Sequence, residues 1–225
     1  MNIKSKIEAV FPSKAFMLLR EVGLKAGLLG CRAYLVGGSV RDMILNRSHI
    51  DIDITVEGDA IKLGRAIAKD AGAEITIYKG FGTCTLALKD GSKIDLATAR
   101  SETYKKPGAM PITKPSTLKD DLKRRDFTIN AIAASVMAKD FGMVYDFFGG
   151  IGDLKSGLIR IMHSKSFTDD PTRILRARRF AARFGFKIEP KTDLLMKKAL
   201  INRALDTVSP GRIQKELMLI SKEIL

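Results

Sequence analysis

Asp51-Ile52-Asp53 puts two carboxylates two positions apart on a strand-like run, Asp51 to Val56, so both side chains share one face. Two carboxylates side by side repel each other unless a cation lies between them, and a divalent metal is the usual answer. Just upstream, Ala33 to Val36 reads as a buried strand that ends in Gly37-Gly38, with a helix opening at Ser39 and running on through Val40-Arg41-Asp42. Glycines let backbone N–H groups approach a phosphate closely, and the helix N-terminus adds its partial positive charge. A phosphate cradle followed by a metal-binding pair is the order that nucleotidyl transfer requires. Each piece alone has a plainer reading: Gly-Gly turns between strand and helix are common, and an Asp-x-Asp pair is often a solvated strand end. Their occurrence within one short span shifts the balance toward chemistry.

Asp95 sits on a third strand-like run, Lys93 to Thr98. Two-metal phosphoryl transfer gathers acidic side chains from neighbouring strands, so Asp95 is a candidate third ligand or a group that orients the attacking hydroxyl. Lys123-Arg124-Arg125 sets three cations before an apolar stretch, which suits a triphosphate or RNA phosphate. A solvated basic patch is the alternative. Asp170, Arg173, Arg176 and Arg179 recur every third residue and form one slanted helical ridge, drifting about 60° per step. Such a run repels itself without anions opposite, which favours contact with nucleotide or RNA. A carboxylate beside a guanidinium can accept from an exocyclic amine and donate to a ring nitrogen. Cytosine and adenine both offer that order, whereas uracil and guanine offer the reverse. The competing account of Asp170 and Arg173 is an ion pair within the helix.

The elements that must position these groups follow from periodicity. Ser13 to Leu29 reads as a helix with Phe16, Leu19, Val22, Leu24 and Leu28 on its apolar face and Gly30 as its stop. A second helix spans about Asp59 to Ala71. Glu74 to Tyr78, Thr83 to Leu88 and Lys93 to Thr98 read as strands, the last two joined by the hairpin signal Asp90-Gly91. Ala99 to Lys119, rich in proline, reads as a mobile loop. From Asp120 the pattern turns helical through Ala134, and short strands are expected at Val144 to Phe148 and Leu158 to Met162. The remainder reads as all-α: Asp169 to Phe184, Thr192 to Leu205 and Pro210 to Leu225.

A length of 225 residues with 45% hydrophobic content suffices for a real core. No apolar run of about 18 residues indicates a membrane span, and Met1 to Lys14 lacks the apolar stretch of a secretory signal, so a cytoplasmic location is expected. Cys31 and Cys84 have no metal-ligand spacing and read as reduced, packed thiols. His49 and His163 read as polar loop residues. The net charge of +14 points to a polyanion, with RNA or DNA ahead of a membrane surface.

Taken together, Gly37-Gly38-x-Val40-Arg41-Asp42, Asp51-x-Asp53, Arg124-Arg125-Asp126-Phe127-Thr128-Ile129-Asn130-Ala131 and Asp169-Asp170-x-x-Arg173 resemble the class II tRNA nucleotidyltransferase and bacterial poly(A) polymerase family. Asp146-Phe147-x-Gly149-Gly150-x-x-Asp153-Leu154 resembles the hinge between that family's head and neck. The resemblance implies an α+β fold: a polymerase-β-like nucleotidyltransferase head with a mixed sheet and helices over 1–162, then an all-α neck over 163–225. It implies Mg²⁺ at Asp51 and Asp53, nucleotide contacts from Gly37, Gly38, Arg41 and Arg125, base reading by Asp170 and Arg173, and support from Arg176 and Arg179. The implied partners are the 3′ acceptor end of tRNA, ATP and CTP, with no DNA and no membrane. The implied activity is addition of C, A or both without a template. A poly(A) polymerase of the same family and a catalytically silent RNA-binding fragment are the alternatives. Two departures stand out. Asp169 replaces the family's more frequent Glu, and the chain stops in what resembles the neck, so it is expected to be a truncated form. The stretch Arg100 to Lys119 resembles the loop needed for A addition, which makes a CC-only enzyme an unexpected outcome.

Overall fold

The structure is a computed structural model that describes residues 1–47, 51–88 and 91–224. His49 and the Asp90 of the hairpin signal lie outside them. The chain forms two compact units that interleave in sequence. The first comprises Met1–Ser101, Lys114–Lys123 and Asn130–Phe147, and the second Glu102–Thr113, Arg124–Ile129 and Phe148–Leu225.

The first unit opens with α1 (Lys4–Val10) and α2 (Ser13–Leu28), followed by β1 (Arg32–Val36), α3 (Gly38–Ile44), β2 (Ile52–Glu57) and α4 (Ala60–Ala71). Three strands come next, β3 (Glu74–Tyr78), β4 (Thr83–Ala87) and β5 (Lys93–Thr98). A separate two-stranded ribbon, β6 (Arg100–Thr103) with β7 (Ile112–Pro115), has its Glu102–Thr113 portion in the second unit, and the first unit resumes with α5 (Leu118–Lys123), β8 (Ala133–Ser135) and β9 (Val144–Tyr145). The mixed seven-stranded sheet has the order β3-β4-β5-β2-β1-β8-β9, and only β2 and β5 run parallel. On β2, alternation decides the faces: Ile52, Ile54 and Val56 are buried in the core, while Asp53 and Glu57 alternate with them on the other side. The α4 helix packs over β2 to β5 and starts where Asp59 Oδ1 accepts from the Lys62 amide at 2.9 Å.

The second unit holds α6 (Gly150–Ser156), β10 (Leu158–Ile159), α7 (Ser166–Asp169), α8 (Thr172–Phe184), β11 (Lys187–Ile188), α9 (Pro190–Ile201) and α10 (Pro210–Ile224). Parallel pairing of Leu158 with Lys187 and of Ile159 with Ile188 ties β10 into this helical part. The last segment of the second unit begins at Phe148.

Three sequence expectations need correction. The stretch Ala99 to Lys119 contains the ribbon β6–β7. Its strands are mostly polar and only partly covered, so they carry no apolar alternation to read. The helix expected through Ala134 ends at Lys123, and Ala133–Ser135 is a strand between β1 and β9. Ala131 to Ala134 are all fully buried, and a continuous buried run does not distinguish helix from strand. On α2 the buried stripe is Ala15, Leu19, Val22 and Ala26, at helical spacing, which leaves Leu24 and Leu28 exposed.

Among the described residues no helix is long and apolar enough to cross a membrane. Both cysteines are free thiols, Cys84 buried and Cys31 half-buried. Burial, reinforced by the negative charges of Asp59 and Asp95, pushes the Cys84 thiol up to about 11. It therefore stays protonated and inert at neutral pH. A disulfide-exchange reagent should label one thiol per folded chain, Cys31, and two after denaturation. Rapid double labelling of the folded chain would contradict this packing.

Candidate active site

In the first unit the strand-to-helix turn forms as expected. Gly37 has φ +65°, a backbone conformation that a side chain would strain. Its N–H already donates to the Ile132 carbonyl at 3.0 Å, so Gly37 anchors the turn and does not offer a donor to phosphate. The first intrahelical bond runs from the Arg41 amide to the Gly37 carbonyl at 2.9 Å. The amides of Gly38, Ser39 and Val40 precede it and face the helix start. At Gly38 an added Cβ would meet only Arg41 Nη2, at an ordinary 3.5 Å, so local packing does not demand a glycine there.

Arg41 is engaged within the first unit. It is 4% exposed, its Nε and Nη2 grip Asp42 at 2.9 and 2.8 Å, and its Nη1 donates to Asn130 Oδ1 at 2.5 Å. It braces the turn from within instead of reaching outward. Ser39 was invisible in the motif and proves central. Its Oγ donates to the Asp51 carbonyl at 2.6 Å and accepts from the Asp53 amide at 3.3 Å. One buried hydroxyl therefore fixes the cradle to the strand that carries both carboxylates.

The parallel register places Asp53 directly opposite Asp95. Neighbouring strands lie about 4.8 Å apart, and residues in register share a face. Asp51 and Asp95 are exposed and Asp53 is half-buried. Thr85 Oγ1 on β4 donates to Asp95 Oδ1 at 2.5 Å, which orients that carboxylate. Among the described residues no group of three or more His, Cys, Asp or Glu side chains is arranged to hold a metal ion. The donor set fits Mg²⁺ nonetheless. Its oxygens are hard ligands, and this ion commonly takes one or two carboxylates and completes its shell with substrate phosphate and water.

In the second unit Arg125 is half-buried, and Arg124 Nη1 is paired with Glu102 Oε1 at 3.0 Å. Asp170 and Arg173 do not form the ion pair within the helix. Arg173, 5% exposed, donates from Nη1 to Ser166 Oγ at 2.7 Å and from Nη2 to the Arg124 carbonyl at 2.8 Å. Asp170 Oδ1 accepts from the Thr172 amide at 3.1 Å, Thr172 Oγ1 at 2.6 Å and Arg212 Nη2 at 2.8 Å. All three bonds fall on one oxygen, which leaves Oδ2 available as an acceptor.

The rest of the ridge, Arg176 and Arg179, meets carboxylates of the chain itself. Asp126 Oδ2 accepts from Arg176 at 2.6 and 2.9 Å, and Glu216 Oε1 accepts at 3.1 Å. Arg179 faces Glu216 at 3.4 Å and Glu223 at 3.0 Å. Burial works against the charge on Arg176, but Asp126 and Glu216 outweigh it and push its pKa up. The ridge drifts around its helix, and Arg176 and Arg179 turn toward α10. The acidic residues of α10, Glu216 and Glu223, are seven positions apart, and spacing alone could not assign them to these arginines.

Residues 33–160 match the Poly A polymerase head domain family. An A-adding tRNA nucleotidyltransferase of Aquifex aeolicus is 46% identical over 192 residues, which cover 85% of this chain and 23% of that protein. The A-adding tRNA nucleotidyltransferase of Halalkalibacterium halodurans is 44% identical over 209 residues, covering 92% and 49%. Among solved structures, apo form II of a CCA-adding enzyme matches with a TM-score of 0.95 at 42% identity, covering 99% of this chain and 53% of that one. CCA-adding enzyme complexes with ATP and with CTP match at TM-scores of 0.90 and 0.89, each at 40% identity and covering 99% of this chain and 50% of theirs. The chain spans about half, or less, of the length of these relatives. With the family match running through every element that carries Gly37, Asp51, Asp53, Asp95 and Arg125, the chain belongs to the Poly A polymerase head domain family.

Proposed function

We propose that this chain is the nucleotide-handling part of a template-independent tRNA nucleotidyltransferase. It joins AMP, CMP or both to the tRNA 3′ end from ATP and CTP, with Mg²⁺. The observation that carries this reading is the pinned Asp51–Asp53 strand in register with Asp95, in a chain 42–46% identical to three A-adding enzymes. That identity favours AMP as a product.

The tRNA 3′-hydroxyl attacks the α-phosphate in line and pyrophosphate leaves. Bound at Asp51 and Asp53, Mg²⁺ would supply neutralisation of the charge that builds on the attacking and leaving oxygens. The amides at the start of α3 receive the phosphates, and Ser39 holds that helix in step with the carboxylate strand. Asp95, oriented by Thr85, would serve as a further acceptor for the metal or for the hydroxyl proton. Arg125 would hold the triphosphate. Asp170 Oδ2 would accept from the exocyclic amine of adenine or cytosine, and Arg173 would donate to the adjacent ring nitrogen. Arg173 is buried on its own hydrogen bonds, so Arg173→Ala is expected to cost stability as well as base selection, whereas Arg173→Lys should lose mainly selection.

The test is incorporation of labelled AMP and CMP into tRNA that ends at the discriminator base, at C or at CC. AMP joined to the CC end is the expected result. RNA binding without incorporation of either nucleotide, at high enzyme and with Mg²⁺, would instead support a silent RNA-binding fragment.

A further inference from the structure

We propose that the open face of β3, β4 and β5 is the track on which the acceptor end of the RNA lies, with Tyr78 stacking on an unpaired base upstream of the 3′ end. This rests on the reading of the chain as a tRNA nucleotidyltransferase. The register of the sheet carries the row of carboxylates outward to its edge. Asp53 lies opposite Asp95, Asp95 opposite Thr85, and Thr85 opposite Thr76 on the edge strand β3. In the adjacent row Ala97 lies opposite Thr83, and Thr83 opposite Tyr78. Residues in register share a face, and so do residues two apart on a strand, so all of these continue the surface that bears Asp53 and Asp95. The other face is closed: Cys84, Leu86, Ile94 and Leu96 are buried there, on the side where α4 packs.

Small side chains keep the open face low. Thr76 is exposed, and Thr83, Thr85 and Ala97 are half-buried. Tyr78, at the far end, is 49% exposed, so its ring is not spent on the core. The turn that follows is anchored to β5: the Gly82 amide donates to the Lys79 carbonyl at 3.2 Å, and the Thr98 amide donates to the Gly82 carbonyl at 3.0 Å. The charges suit a polyanion that runs in one direction. Lys93, two positions before Asp95 and on the same face, and Lys79, next to Tyr78, are both exposed cations that can meet phosphates. The row through Lys93 and Ala87 ends at Glu74, whose carboxylate repels a phosphate. The strand therefore leaves the carboxylates toward Tyr78 and not toward that corner. Two strand spacings, about 10 Å, separate Asp95 from β3, so a 3′ end held at the carboxylates puts the stacked base behind the terminal nucleotide. Stacking on an aromatic ring tolerates any base, so Tyr78 positions the RNA without reading it.

Binding of a fluorescent RNA hairpin with an unpaired 3′ end in CC to the 225-residue chain tests this, alongside AMP transfer to the same RNA. Tyr78→Ala should weaken RNA binding by about tenfold, within the range of base–aromatic stacking, and leave the KM for ATP unchanged. Tyr78→Phe, which keeps the ring, should bind as the wild type does. Replacing the unpaired bases one at a time by abasic residues should reveal a position whose loss weakens wild-type binding by the same factor and weakens Tyr78→Ala no further. Wild-type affinity in Tyr78→Ala would overturn the proposal. Failure of Tyr78→Phe to restore binding would overturn it too, because the ring face would then not be the contact, and so would additive effects at every abasic position. A raised KM for ATP with unchanged RNA affinity would give this face to the nucleotide instead. RNA binding that depends on Tyr78, with no incorporation of AMP or CMP, would support the track and overturn the transferase reading.

Discussion

Asp53→Ala is expected to lower AMP and CMP transfer by about a thousandfold or more while leaving the fold intact. Charge neutralisation by a bound metal is worth several kcal/mol in such reactions, and each 1.36 kcal/mol is tenfold in rate. Asp53 contributes little to the core: the buried face of β2 is Ile52, Ile54 and Val56. Its register partner is Asp95, and like charges directly opposite each other destabilise a sheet. Removing Asp53 therefore relieves that repulsion, and without Mg²⁺ the variant should still unfold cooperatively. Added Mg²⁺ should raise the wild-type melting temperature through preferential binding to the folded state, and should leave the variant unmoved. Transfer by Asp53→Ala at the wild-type rate, or equal Mg²⁺ responses from both proteins, would remove the metal from this pair of strands.

The strand, turn, helix and second strand were legible in sequence because a short stretch of backbone carries them. Gly37, Gly38, Asp51 and Asp53 lie on consecutive elements whose order dictates their neighbours, and the two-residue period of a strand settles which carboxylates share a face. Asp95 falls opposite Asp53 because β4 and β5 pair antiparallel and return its strand to the sheet. Long-range pairing was not legible. Nothing near Arg176 or Arg179 announces that Glu216 and Glu223 will meet them, and nothing near Arg41 announces Asn130. A cation in a motif was read as facing outward, and only the folded chain shows that three of these arginines spend their charge on internal carboxylates. Ser39 escaped notice for a different reason. A small hydroxyl between a glycine pair and a valine looks like filler until its two bonds to the Asp51–Asp53 backbone are seen.

Arg176→Met should lower the stability of the chain by about 3–5 kcal/mol, read as a fall in the urea midpoint, because breaking a buried ion pair leaves an uncompensated charge. Asp126 and Glu216 are each 8% exposed and both lean on this guanidinium. With it gone, two carboxylates remain desolvated near each other, although Glu216 keeps Arg179. The sign of the pH dependence separates this from a simple packing loss. In the variant, a buried carboxylate without the Arg176 guanidinium is harder to ionise in the folded chain than in the unfolded one. The penalty is therefore present at neutral pH and relieved as carboxylates protonate, so the gap to wild type should narrow in acid. Replacing Asp126 and Glu216 with leucine in the same variant should recover much of the loss, since an apolar cluster of similar volume often matches a buried ion pair. A loss below about 1 kcal/mol, the scale of an exposed pair, would instead return Arg176 to the ligand-facing side of α8 and reopen its role as a nucleotide contact.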